Sequence, residues 1–229
     1  MCDRRRASVA VDLELACIRA IYTYGNDSTT VNAATQVEMR TYAHRAHMHL
    51  LITEFSVQMQ GHRQQTEFED LVNLQFVDEF EPTLANDGTG APDVDLQRVP
   101  AASIDVATRN TLHSETQMEM ECFNGSTWTH AQKKGQIDPV VVSLCRTRPP
   151  TAAVAISDGQ TYTFTSALYT SSDPQVLSGG RSSPLQAAQS AWAAASSLGS
   201  AALFLSHCQA QENLWQGRIE VADNHALVS

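Results

Sequence analysis

Short runs in which apolar and polar residues alternate recur along this chain, and most are bounded by Gly, Pro, Asn or Asp. A period of two sends successive side chains to opposite faces of an extended backbone, so each run reads as a strand with one drier face. From His49, residues Leu51, Thr53, Phe55, Val57 and Met59 fall on one side, and Glu54, Ser56, Gln58 and Gln60 form a wet face on the other. Val72, Leu74, Phe76 and Phe80 give a returning strand that ends at Pro82. Ile104 to Arg109 is a short strand, and Met118, Met120 and Cys122 alternate with Gln117, Glu119 and Glu121. Asn124-Gly125 behind them is the strongest hairpin signal in the chain. Val140 to Thr147 follows, then Ala153 to Ile156 and Tyr162 to Leu168 on either side of a second hairpin signal, Asp158-Gly159. Strands this short and this regularly broken fold as an antiparallel sandwich or barrel.

Helical patterns stand at both ends. Val9 to Leu15 alternate, while Leu13, Cys17, Ala20 and Tyr24 line one helical face, so a short strand runs into a helix that stops at Gly25. Thr30 caps a second helix from Val31 to Ala46, a stretch of good helix formers. Ser183-Pro184 opens a long C-terminal helix with a face of small residues around Trp192. The expected class is α+β, one domain over 1–229: a mainly antiparallel β-sandwich or barrel with N-terminal helical segments and a long C-terminal helix. Residues 82–100 and 171–183 are expected to be polar surface loops.

Charged residues make up 17% of the 229-residue chain, against about 25% in an ordinary domain, and Lys133 and Lys134 are its only lysines. Lysine and the carboxylates are depleted at the centres of protein–protein contacts, which favours a subunit that packs against copies of itself. A net charge of −10 opposes a large nucleic-acid footprint, so contact with nucleic acid is possible only through Arg4, Arg5 and Arg6, a cluster that otherwise reads as a solvated tail. The arginines of MCDRRRASVA precede no apolar stretch of secretory length, and Ala191 to Leu205 is too short to span a bilayer. Five scattered cysteines, Cys2, Cys17, Cys122, Cys145 and Cys208, read as reduced, buried thiols.

Candidate chemistry is thin. His44 and His47 would lie one turn apart on the second helix, with His49 nearby, an arrangement that can aim nitrogens at one metal ion. Arg40 would share the His44 face and repel a cation, so these read as solvated or helix-end histidines. Cys145 precedes Arg146 and Cys208 follows His207, yet neighbours on a helix diverge, and packing is the favoured role for both. Glu119 and Glu121 share a strand face, as an acid/base pair or as any half-exposed strand would. Gly179-Gly180-Arg181 precedes a helix start that could hold phosphate, but Pro184 removes a donor there. No catalytic, cofactor-binding or metal residue is assigned. The expected function is a non-catalytic assembly subunit, such as the coat, shell or tube protein of a virus or other large particle. The alternative is a small-molecule-binding β-barrel, or an enzyme built on one. Its cavity would be lined by Tyr162, Phe164 or Trp128, with His44 or Glu119 at the mouth.

Overall fold

A computed structural model describes residues 4–25, 34–60, 72–78, 94–100, 119–127, 139–178 and 183–216. The strands are β1 Arg4–Asp12, β2 Cys17–Gly25, β3 Ala34–Ala43, β4 Leu50–Gln60, β5 Val72–Leu74, β6 Val94–Arg98, β7 Met120–Thr127, β8 Val141–Thr147, β9 Val154–Ile156 and β10 Thr161–Thr170. The helices are α1 Pro174–Ser178, α2 Pro184–Leu198 and α3 Ser200–Trp215. Eight strands form one sheet in the order β1-β2-β3-β4-β10-β8-β7-β6, and β5 pairs with β9 separately. Among the described residues every pairing is antiparallel. The α+β class stands, and the large sheet is open, with β1 and β6 at its ends.

The N-terminal half corrects the sequence reading most. Neither expected helix forms: Cys17–Gly25 is β2, and Ala34–Ala43 is β3. Ile18, Ile21, Tyr22, Thr23 and Tyr24 suit a pleated surface better than a helix. In β3 the helix-forming Glu38 and Arg40 find cross-strand partners instead, with Arg19 Nε 2.9 Å from Glu38 and Arg40 Nη2 2.6 Å from Glu54. Tertiary pairing overrides a helix propensity of a few tenths of a kcal/mol per residue. Arg4, Arg5 and Arg6, expected as a tail, extend β1 with their backbones opposite Gly25, Tyr24 and Thr23.

Further departures follow downstream. Asn124-Gly125 makes no hairpin but lies inside β7, opposite Ser143 and Val142. The Asn124 side chain accepts a 2.7 Å hydrogen bond from the Ser143 hydroxyl and so has a partner within the sheet. Asp158-Gly159 does turn the chain, with Gly159 at φ 75°. The strands it joins belong to different sheets, since β9 pairs with β5 and β10 with β4. Within the expected loops, β6 occupies Val94–Arg98 and α1 occupies Pro174–Ser178. The long C-terminal helix is two helices, because Gly199 at φ 75° breaks the helical path between α2 and α3. Cys122 and Cys145 are not reduced thiols. They face each other across β7 and β8 and form a disulfide, while Cys17 and Cys208 are free. The expected strand Ile104 to Arg109, Trp128, and Gly179 to Arg181 lie outside the described residues. No helix among the described residues is long and apolar enough to cross a membrane.

Two cores form, one on each face of the sheet. Helix α2 starts at Ser183, whose hydroxyl accepts from the Gln186 amide in a reciprocal cap, and it lays Ala188, Trp192 and Ala195 on the sheet. Tyr42, Leu50, Ile52 and Ala167 belong to the same core, together with Leu203 of α3. On the other face Val37, Val57 and Tyr162 pack with Phe55, Phe76 and Phe164 around β5 and β9. Strand β4 therefore has no uniformly wet face: Ile52 and Val57 point oppositely, and both are 0% exposed.

Candidate functional site

The densest polar chemistry lies buried between β3, β4 and α3. Alternation along β3 puts Arg40 and Tyr42 on the helix-covered face, and the register places Glu54 opposite Arg40. Glu54 is 2% exposed. Its carboxylate accepts from Arg40 Nε and Nη2 at 2.8 and 2.6 Å, from the Tyr42 hydroxyl at 3.2 Å, and from the Ser200 hydroxyl at 2.7 Å. The Arg40 guanidinium also sits 3.6 Å over the Phe204 ring. Burial, and then the Glu54 charge, push the Tyr42 phenol far above its ordinary pKa, so it stays a neutral donor. A carboxylate that accepts four hydrogen bonds and is 2% exposed is held in place by its partners.

His44 and His207 complete the cluster, and both are buried. Nδ1 of His44 accepts from the amides of Ala46 and His47, which puts its proton on Nε2, 3.0 Å from the Leu203 carbonyl and 3.1 Å from the Ser206 hydroxyl. Nδ1 of His207 accepts from the Arg45 amide, and its Nε2 donates to the Leu15 carbonyl at 2.8 Å. Each ring thus has both nitrogens occupied and pins the chain before β4 to α3. Burial is the first cause that lowers both pKa values below the ordinary 6.5, against the opposing pull of the Leu203 and Leu15 carbonyls.

The pH dependence follows from that depression. Unfolding exposes imidazoles that bind protons below about 6.5, while the folded rings stay neutral to lower pH. Their contribution to stability is full above that value and is lost as pH falls through the lowered folded values. Unfolding free energies from urea titrations should decline below pH 6.5 with a slope approaching about 1.4 kcal/mol per pH unit for each histidine. His207→Gln should flatten the slope; an unchanged slope would show that His207 is not buried neutral.

The other sequence candidates come apart. His44 and His47 do not sit on a helix, and among the described residues no three His, Cys, Asp or Glu side chains are placed to hold a metal ion. His49 stacks on Tyr169 at 4.0 Å, and with His47 it lines a separate cavity of about 240 Å³ against α2. Glu121 is buried with Arg98 at 3.0 Å and Arg146 at 2.6 Å, whereas Glu119 is exposed beside Arg148 at 3.3 Å. Cys145 is consumed by its disulfide, and burial pushes the Cys208 thiol up, away from the thiolate. Tyr162 and Phe164 pack with Phe76 at centroid distances of 6.0 and 5.0 Å, as parts of a filled core. Sequence reading missed Glu54, Tyr42 and Ser200 altogether. The only trace of them was a charge in mid-strand at Glu54.

The surface is where apolar groups remain unsatisfied. Val9 and Val11 of β1 are 67% and 65% exposed, and Ile18, Leu51 and Leu168 are about half exposed. The register joins them: Val11 pairs with Ile18, Ile18 with Thr41, Ala43 with Leu51, and Leu168 lies one step along β10 from the Ser166–Leu51 pair. An open groove of about 470 Å³ adjoins this strip and ends at Trp215 of α3.

No family model matches the chain, and no curated protein does. A solved structure described as a kojibiose phosphorylase from human microbiome is similar over 93% of this chain, at 10% identity and a TM-score of 0.48. This chain spans 26% of that protein's length. So distant a likeness carries no argument about function.

Proposed function

We propose that this chain is a non-catalytic subunit that associates with copies of itself. The observation that carries this reading is the aliphatic strip of Val9, Val11, Ile18, Leu51 and Leu168, which is exposed on the sheet face opposite α2. Single exposed aliphatic residues are ordinary, but adjacent ones on neighbouring strands mark surfaces that are covered in use. Burying one Val or Leu side chain contributes about 1.5–3 kcal/mol, so a strip of five is a substantial drive for association. The low lysine content agrees, because few ammonium groups need be desolvated. The alternative, a ligand-binding barrel or an enzyme built on one, has less support. Its proposed lining, Tyr162 and Phe164, is core, and His44 is 1% exposed with both ring nitrogens bonded.

The assembly such a subunit builds is a coat, shell or tube. Light scattering of the purified chain, with electron microscopy of the same fractions, should show the mass rise to two or more copies between micromolar and near-millimolar concentration. A strict monomer up to near-millimolar concentration and across salt would refute the reading.

A further inference from the structure

Resting on that self-association, we infer that two copies join edge to edge through β1, antiparallel about a two-fold axis at Ser8, so that their sheets become one. Strand β1 is the last strand on its side of the sheet, and among the described residues nothing pairs with its outer edge. Its ladder to β2 runs unbroken from Arg4 opposite Gly25 to Asp12 opposite Cys17, without a bulge. Soluble proteins blunt such edges with proline, charged side chains, a bulge or brevity, and in β1 the charges stand at the ends, Arg4–Arg6 and Asp12. Residues 7–11, Ala-Ser-Val-Ala-Val, use none of these devices, and Ala7, Ser8, Val9 and Ala10 are all exposed. The sheet's other end is the shorter strand β6, Val94–Arg98.

Charge selects both the partner and the register. The strand is basic at one end, Arg4, Arg5 and Arg6, and carries Asp12 at the other, with Glu14 just beyond. Ser8 is its midpoint. Antiparallel pairing about Ser8 sets Arg4 opposite the partner's Asp12, Arg5 opposite the partner's Val11, and Ala7 opposite the partner's Val9. Each basic end then runs along an acidic end. A parallel pairing, or an antiparallel one centred on Arg5 or Arg6, sets arginines against each other, and like charges directly opposite destabilise a ladder. The chosen register also matches odd positions with odd ones, so the strips that contain Val9, Val11 and Ile18 fall on the same face and meet across the axis. A two-fold interface of this kind is self-complementary, as closed dimers require.

Cysteine placed on the axis reads the register. The Ser8→Cys variant, oxidised in air, should give a disulfide-linked dimer as the main species on a non-reducing gel. Paired strand positions lie within the Cα spacing a disulfide bridges. Ala10→Cys is equally a surface thiol, but in this register it faces the partner's Arg6 and should give only traces, as should the unsubstituted chain. Ser8→Lys puts two ammonium groups on the axis and should raise the dimer dissociation constant at least about tenfold. Equal cross-linking of the two cysteine variants, or an oligomer unaffected by Ser8→Lys, overturns the β1 interface while self-association stands. If the unsubstituted chain is a monomer at every concentration, both fall.

Discussion

Glu54→Ala should lower the unfolding free energy by about 3–5 kcal/mol, because it removes one partner of a buried ion pair and strands the other. Glu54 is 2% exposed and holds Arg40, Tyr42 and Ser200 together. Without its carboxylate the guanidinium faces Phe204 and two hydroxyls with no counter-charge, and each unpaired hydroxyl adds its own desolvation penalty. The Arg40 side chain keeps 27% exposure, so water relieves part of the loss and the lower half of the range is expected. Replacing both ions, Arg40→Met with Glu54→Leu, should cost less than Glu54→Ala, since a packed apolar pair often equals a buried salt bridge, and the Tyr42 and Ser200 hydroxyls left without their acceptor account for what remains. Urea midpoints with unchanged slopes would measure both. If Glu54→Ala proved neutral, water would have to reach the cluster, and the buried arrangement described here would be wrong.

Trp192→Ala should be comparably severe, at about 3–5 kcal/mol. The indole is 1% exposed and is the largest side chain that α2 presses onto the sheet. Its neighbours on the buried helix face, Ala188 and Ala195, are too small to collapse into the space. The indole N–H donates to the Thr147 hydroxyl at 3.1 Å, and that hydroxyl also accepts from the Thr165 amide at 3.2 Å, so the residue ties α2 to β8 and β10. Trp192→Phe keeps most of the volume and loses the hydrogen bond, for about 1–2 kcal/mol. At about 2–4 °C per kcal/mol for a chain of this size, the alanine variant should melt roughly 10 °C lower and the phenylalanine variant a few degrees lower. Equal melting temperatures for the two would mean that packing volume at this site matters little.

The strands that could be read from the sequence are those whose alternation is flanked by turn residues. Leu50–Gln60, Val141–Thr147 and Thr161–Thr170 stand close to where the pattern put them, and the Ser183-Pro184 start of α2 was legible because its cap is local. What failed depended on distant partners. Residues 31–46 have helical composition, and the ladders to β2 and β4, with Arg40 reaching a glutamate 14 residues away, make Ala34–Ala43 a strand. The Cys122–Cys145 bond spans 23 residues, and the inward role of His44 depends on Leu203, 159 residues along the chain. Periodicity cannot show such contacts. It also cannot show that β4 is covered on opposite faces in its two halves, because the alternation looks the same whichever face is dry.

Hydrogen exchange of the unsubstituted chain at micromolar and near-millimolar concentration tests the central claim most directly. Self-association through the sheet edge and its aliphatic strip should slow exchange in β1 as concentration rises, since its outward amides gain partners, while amides around Glu54, His44 and His207 exchange alike at both concentrations. Exchange in β1 that does not change with concentration would contradict the account.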